Sequence, residues 1–301
     1  MGNEQFTGIL AATVTPFTAD ASAVDEAGIH RIVEYIVGNG VHGLVPGGST
    51  GEFTTLTHDE RKRSAEVYLE AAAGRVPVIV GTGALSTAET VELSKHANAS
   101  GAAAVMVVPP FYDAPSWDEL LAHYSAVSDA IDIPIMYYNI PSATGVDLSP
   151  EQFAELARKT RVTCFKDTGG DASKFASIQQ NYAADITALN GYDTLTFAGL
   201  AAGAKAGVWG VASVLPRLCA DFYEALVVRG DLDEGRALWA MLFPICEFLE
   251  TVNYPGGIKT GLELVGQNAG PTRRPILPMS KENRDEYARL LRAAGIDVID
   301  D

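Results

Sequence analysis

The sequence predicts an α/β fold, a (β/α)8 TIM barrel with a C-terminal helical extension. Short apolar runs of strand length recur through the first two-thirds of the chain. Nearly all are continuous rather than alternating, as strands buried on both faces of a parallel sheet are. Segments of helical periodicity lie between them. The alternation repeats about eight times, whereas an open doubly wound sheet usually reverses direction after fewer strands.

In chain order the apolar runs are Gly8–Thr15, His42–Pro46, Val76–Gly81, Ala103–Pro109, Ile133–Asn139, Val162–Lys166, Asp185–Asn190 and Gly207–Val211. After the first run, Ile29, Ile32, Val33, Ile36 and Val37 fall on one face of a helix that Gly38 and Gly40 end. Later helices open on capping boxes: Thr57 with Glu60, Ser86 with Glu89, Ser116 with Glu119 and Ser149 with Gln152. Pro150 stands at the first helical position, where a missing N–H costs nothing. From about Leu215 the strand signals stop, and Leu218–Val228, Asp231–Val252 and Lys281–Ala294 read as helices. The chain therefore divides into a barrel over residues 1–220 and a helical extension over 221–301. No Gly-, Ser- and Pro-rich linker separates them, so the extension is expected to pack on the barrel.

A chain of 301 residues with 47% hydrophobic content has ample material for a core without staples. Its net charge of −16 argues against nucleic acid or an anionic membrane as partner, since both reward clustered Lys and Arg. The 3 cysteines, Cys164, Cys219 and Cys246, are too scattered for a disulfide framework or a zinc site. The 5 histidines form no His-x-x-x-His or His-Glu-x-x-His pair, so metal catalysis is not expected. The start around Glu4 is polar and lacks a basic-then-apolar leader. The longest apolar run, Gly101–Phe111, is far short of the ~20 residues that span a bilayer. A cytoplasmic protein is expected.

In a barrel of this kind the active site lies at the C-terminal ends of the strands. Lys166 closes the sixth run, on the same face as Val162 and Cys164 and away from Asp167. An apolar surrounding favours the neutral amine, the form that makes a Schiff base with a carbonyl substrate. The plainer alternative is a strand-end lysine reaching solvent. Gly47-Gly48-Ser49-Thr50-Gly51-Glu52 lacks the Gly-Lys-Ser/Thr ending of a nucleotide loop. Its backbone N–H groups and two hydroxyls could form a small anion nest suited to a carboxylate. Equally, it could be a tight turn needing positive φ. Tyr112, Tyr137 and Tyr138 could supply phenolic acid–base groups or act only in packing, and spacing does not choose between Tyr137 and Tyr138.

Together these residues resemble the dihydrodipicolinate synthase / N-acetylneuraminate lyase family of class I pyruvate aldolases, from Gly8 to roughly Pro278. The marks are Thr13-Val14-Thr15-Pro16-Phe17, Gly48-Ser49-Thr50-Gly51-Glu52, Pro110-Phe111-Tyr112, Tyr138-Asn139-Ile140-Pro141 and Lys166. The resemblance implies an imine between Lys166 and the keto carbon of pyruvate or a 2-keto acid, with Tyr138 as general acid–base. It implies that Ser49 and Thr50, with Gly48 in their turn, hold the substrate carboxylate, and that Thr50 also bonds Tyr138. Tyr112 matches the tyrosine lent to a neighbouring subunit's proton relay, within a homotetramer. A phenol has an ordinary pKa near ~10, so Tyr138 needs a hydroxyl relay to exchange protons quickly. No metal or organic cofactor is implied, and the partners are small 2-keto acids and aldehydes.

The substrate is read from departures. Dihydrodipicolinate synthases typically carry an arginine where this chain has Ala143, which counts against aspartate semialdehyde. Tyr138 to Gly145 and Lys166-Asp167-Thr168 are similar to 2-keto-3-deoxygluconate aldolases, and Gly191-Tyr192-Asp193 resembles the sugar-binding element of sialate lyases. Thr194 stands where those lyases have Glu, and Trp209 replaces a small or aliphatic residue of the family's pocket, where an indole would narrow the site. The expected activity is therefore aldol cleavage of a 2-keto-3-deoxy sugar acid or 4-hydroxy-2-keto acid. Dihydrodipicolinate synthase comes second and a keto-deoxy sugar acid dehydratase third. A pyruvate-binding sensor or scaffold is the alternative without turnover.

Overall fold

A computed structural model describes residues 6–299; the start around Glu4 lies outside the described residues. Eight parallel strands form one sheet: β1 (Gly8–Ala12), β2 (Gly43–Val45), β3 (Ile79–Gly81), β4 (Ala104–Val107), β5 (Ile135–Asn139), β6 (Val162–Asp167), β7 (Thr187–Asn190) and β8 (Ala206–Trp209). Each overlaps its predicted run. The strands pair in the order β2-β1-β8-β7-β6-β5-β4-β3. A parallel bridge between Leu44 and Val78 joins the two ends. Beside it, Leu44 N donates to Pro77 O at 3.0 Å and Gly81 N donates to Pro46 O at 2.8 Å. These contacts close the sheet into a barrel, removing the edges that an open sheet exposes.

Alternation along the strands sorts side chains into two cores. Leu10, Met106, Met136, Cys164, Leu189 and Val208 fill the barrel. Ile9, Val105, Tyr137, Phe165, Ala188 and Trp209 point outward into the layer shared with the helices. The strands are buried on both faces, which is why their sequences run apolar without interruption.

The first helix, Glu26–Gly38, buries Ile29, Ile32, Val33 and Ile36, the predicted stripe. Thr57 and Ser149 form complete capping boxes, and Pro150 opens the helix Pro150–Lys159. At Ser116 the Glu119 carboxylate accepts from the Ser116 amide at 2.8 Å. Ser86 forms only half of its box. Its hydroxyl accepts from Glu89 N at 3.3 Å and donates to the Glu89 carboxylate, and no bond from the Ser86 amide to that carboxylate is made among the described residues.

After β8 the chain is helical among the described residues: Val211–Val214, Pro216–Tyr223 running into the wider turn Glu224–Val228, Leu232–Thr251, Tyr254–Leu264 and Lys281–Ala293. The helix Tyr254–Leu264 was not expected, because Pro255-Gly256-Gly257 reads as a breaker. Pro255 sits in the first turn, where a proline is tolerated, and the Asn253 side chain caps Gly256 N at 3.2 Å. Further along, a Cβ at Gly261 would fall 2.4 Å from the Tyr287 hydroxyl, so close helix packing requires glycine there.

Candidate active site

The C-terminal ends of β5 to β8, the turn after β2 and the last residues of the helix Leu232–Thr251 enclose a cavity of about 360 Å³. Lys166, near the end of β6, lines it and is otherwise buried. Its Cα pairs with that of Tyr138 across β5 and β6, and its Nζ lies 4.3 Å from the centre of the Tyr138 ring. The lysine stem runs against Gly191: a Cβ there would lie 2.6 Å from Lys166 Cγ and 2.7 Å from Cε. Gly191 therefore contributes to the site by leaving room for the lysine.

Strand alternation separates the two tyrosines that spacing could not. Tyr138 faces the barrel interior and the cavity. Tyr137 faces outward, packs between a tilted Tyr124 ring and Phe153 in an edge-to-face contact, and burial pushes its phenol well above the usual range. The neighbours of Lys166 and Tyr138 on the opposite strand face also meet. Asn139 Nδ2 donates to Asp167 Oδ1 at 2.6 Å, Gly169 N donates to the same oxygen at 3.1 Å, and Gly191 N donates to Asp167 O at 2.7 Å. Burial raises the Asp167 pKa. These bonds hold the ends of β5, β6 and β7 in register, so the lysine and the phenol are set against each other by the backbone.

Ser49 and Thr50 line the same cavity from the turn after β2. Gly51 N donates to Gly48 O at 3.0 Å, Glu52 N donates to Ser49 O at 3.0 Å, and Thr15 Oγ1 donates to Gly51 O at 2.7 Å. Positive φ is required at Gly47 (73°) and is adopted by Glu52 (55°). The turn is thus tight and carries two hydroxyls into the cavity. No hydrogen bond joins Thr50 to Tyr138 among the described residues, a correction to the bond that the resemblance implied.

Glu52 anchors that turn. Its buried carboxylate pairs with Lys259 Nζ at 2.7 Å and accepts from Arg273 N at 2.8 Å. Lys259 also donates to Pro271 O at 2.7 Å and lies 4.1 Å from the centre of the Phe17 ring, with the Arg273 guanidinium 4.4 Å from the same centre. Burial draws the Lys259 pKa down to about 8, against the pull of the Glu52 carboxylate. Residues of the helical extension therefore support the turn that carries Ser49 and Thr50.

Asp193, expected at the site, lines the cavity, and burial pushes its pKa up to about 7. Tyr254 Oη donates to Asp193 Oδ2 at 2.5 Å. Thr194 N and Oγ1 donate to the Glu250 carboxylate at 3.0 and 3.2 Å, and Glu250 also lines the cavity. Glu250 and Tyr254 were missed in the sequence, while Ser142, Thr168 and Tyr192 stood in motifs that were read without a role for them. Glu250 and Tyr254 come from the helical extension, with no motif to mark them.

Four expected residues lie elsewhere. Gly48 is buried and does not line the cavity, and a Cβ there would meet Met106 Cε at 2.9 Å. Ala143 is exposed, and Ser142 lines the cavity in its place. The Trp209 indole does not narrow the pocket. Alternation along β8 turns it outward onto Phe222 and Trp239, while Val208 and Gly210 line the cavity. Tyr112 is 86% exposed and lies outside the cavity.

Among the described residues, no three His, Cys, Asp or Glu side chains are grouped to hold a metal ion, and no helix is long and apolar enough to cross a membrane.

Comparison with known proteins agrees with the geometry. The profile of the dihydrodipicolinate synthetase family matches residues 5–294. A 4-hydroxy-tetrahydrodipicolinate synthase of Pelobacter propionicus is 36% identical, covering 97% of this chain and 99% of its own. Another of that name, from Nitrobacter hamburgensis, is 40% identical and covers 92% of each chain. Among solved structures, dihydrodipicolinate synthase from Aquifex aeolicus superposes with a TM-score of 0.93 at 31% identity, covering 98% of this chain and 100% of its own. A prophage protein of the same family from E. coli, solved in complex with pyruvate, superposes with a TM-score of 0.91 at 29% identity, covering 97% and 99%.

Proposed function

Because the chain belongs to the dihydrodipicolinate synthetase family of carbon–carbon lyases, we propose that it joins pyruvate to an aldehyde through a Schiff base on Lys166. Chemistry in this family runs on such a lysine imine and needs no external cofactor. The observation that carries the reading is the cavity that holds Lys166, Tyr138, Ser49 and Thr50 together.

The Lys166 amine adds to the keto carbon of pyruvate, and loss of one water gives the imine. The protonated imine withdraws electrons, so the methyl carbon releases a proton and an enamine forms. That carbon attacks the aldehyde carbon, whose oxygen takes up a proton, and water then releases the product from the lysine. Tyr138 is the group placed to carry protons at the imine, and the Ser49–Thr50 turn is placed to hold the pyruvate carboxylate.

The relatives carry the name 4-hydroxy-tetrahydrodipicolinate synthase, which supports aspartate semialdehyde as the aldehyde and reverses the order read from the sequence. Aldol cleavage of a keto-deoxy sugar acid is the second reading. It is favoured by the absence of any arginine among the described residues lining the cavity and by the exposed Ala143. The exposure of Tyr112 supports an assembly in which another copy covers it, as in the expected homotetramer. Purified protein is mixed with pyruvate and either aspartate semialdehyde or a hydroxyaldehyde, and pyruvate consumption is followed. Turnover with aspartate semialdehyde alone supports the first reading, and turnover with the hydroxyaldehyde alone replaces it with the second.

A further inference from the structure

Glu52 and Lys259 anchor the turn of Ser49 and Thr50 from the side of the helical extension. On its other side that turn rests on β3. Gly81, the last residue of β3, crosses Gly47 so closely that a Cβ on Gly81 would lie 2.2 Å from Gly47 O. Gly81 N donates to Pro46 O at 2.8 Å. Arg61, on the helix His58–Ala72, reaches this crossing: its Nη2 donates to Gly81 O at 3.1 Å and to Gly83 O at 3.0 Å. The same guanidinium lies 5.1 Å from the centre of the Phe53 ring, the residue after Glu52. Arg61 therefore braces the turn at both of its ends. We propose that Arg61 is a positioning residue for pyruvate, clamping residues 47–52 so that Ser49 and Thr50 converge on the substrate carboxylate. The proposal rests on the Schiff-base reading of Lys166 and on that turn as the carboxylate holder.

The guanidinium is spent on bracing rather than on pairing. Both of its hydrogen bonds go to carbonyl oxygens. The Glu89 carboxylate, which acts on it through charge, is held instead by the Ser86 hydroxyl at 2.9 Å and by His58 Nε2 at 3.4 Å. Burial draws the Arg61 pKa down to about 10, so the side chain keeps its charge at neutral pH and its bonds are charge-assisted. Arg61 Nε is buried without a partner. A cation so placed costs stability that an apolar side chain would not, which is the pattern of a residue kept for a site. Neither support can give way. A Cβ at Gly83 would fall 2.7 Å from Val108 N, so the loop that offers the two carbonyls is wedged against the chain just past β4. Phe53 packs on the barrel-interior core, edge-on to Phe111 at 5.8 Å.

Methyl pyruvate presents the same keto carbon as pyruvate without the carboxylate charge, so the pair separates carboxylate binding from the chemistry of the lysine. Arg61→Met removes the guanidinium and keeps an unbranched side chain. With each ketone well below saturation, the ratio of borohydride trapping rates on Lys166, pyruvate over methyl pyruvate, should fall about tenfold in Arg61→Met, the range of a lost charge-assisted hydrogen bond. In turnover the loss should appear in KM for pyruvate, with kcat at saturation changed by less than about threefold. Arg61→Lys keeps the charge but reaches one carbonyl, so its ratio should lie between those of Arg61→Met and wild type. Arg61→Lys carries the test where Arg61→Met does not fold. An unchanged ratio in the variant so read, or equal slowing with both ketones, overturns the positioning role and leaves the Schiff-base reading standing. Failure of wild-type protein to trap pyruvate overturns the Schiff-base reading, and the positioning role with it.

Discussion

Lys166 and Tyr138 face each other across adjacent strands as Cα partners, with the lysine Nζ 4.3 Å from the centre of the phenol ring. Tyr138→Phe keeps the ring against the lysine and removes the hydroxyl alone. Imine trapping should continue slowly, while turnover falls by about 10²–10⁴, the usual contribution of a positioned acid–base group. Steady-state kcat checks this, and equal turnover would show that another group carries the proton.

Gly191→Ala puts a Cβ 2.6 Å from Lys166 Cγ, a distance that real side chains do not tolerate. The lysine has to swing away from its place beside Tyr138. We expect a folded protein with an unchanged circular dichroism spectrum and a rate of borohydride trapping lowered at least about tenfold, since small misplacements are costly in pre-organised sites. A normal trapping rate would mean that the lysine position is not set by this glycine.

Lys259→Met leaves the Glu52 carboxylate buried without its ammonium partner, which costs about 3–5 kcal/mol. Pairing it with Glu52→Gln removes the stranded charge and should recover most of that loss. Because Glu52 sits in the Ser49–Thr50 turn, the single variant should also raise KM for pyruvate. Urea unfolding and steady-state kinetics read the two effects, and a single-variant cost below about 1 kcal/mol would contradict the pairing.

Asp193 releases its proton at about pH 7 in the folded chain, against 3.8 for an ordinary aspartate. Between those values the folded state binds more protons than the unfolded one. The stability this group contributes is therefore complete below the unfolded value and lost as the pH rises towards about 7. Asp193→Asn removes that dependence. The melting temperature of the variant minus that of wild type should widen from pH 5 to 7 and stay level above, as differential scanning calorimetry would show. A gap that does not change with pH would mean that the carboxyl is not held protonated by burial.

The barrel was legible because its strands are buried on both faces and so run apolar without a break, and because caps such as Thr57–Glu60 act over three residues. Lys166 was legible because it closes such a run, whereas Tyr138 was told from Tyr137 by the resemblance alone and it is the strand alternation that turns it into the cavity. Trp209 was placed in the pocket by the resemblance, and in a sheet with two apolar faces the residue type does not reveal which face it takes. The Glu250–Thr194 and Glu52–Lys259 contacts lie beyond local reading, since their partners meet only when the extension folds back over the barrel mouth. The helix Tyr254–Leu264 was hidden by its glycines, which packing against Tyr287 and Leu249 selects over helix propensity.

The central claim is a covalent one at a single nitrogen. Incubation with pyruvate, reduction by borohydride, intact mass and peptide mapping should place one reduced pyruvate adduct on Lys166, and Lys166→Ala should carry none. A folded wild-type protein that gains no adduct, or gains it on another lysine, would contradict the account.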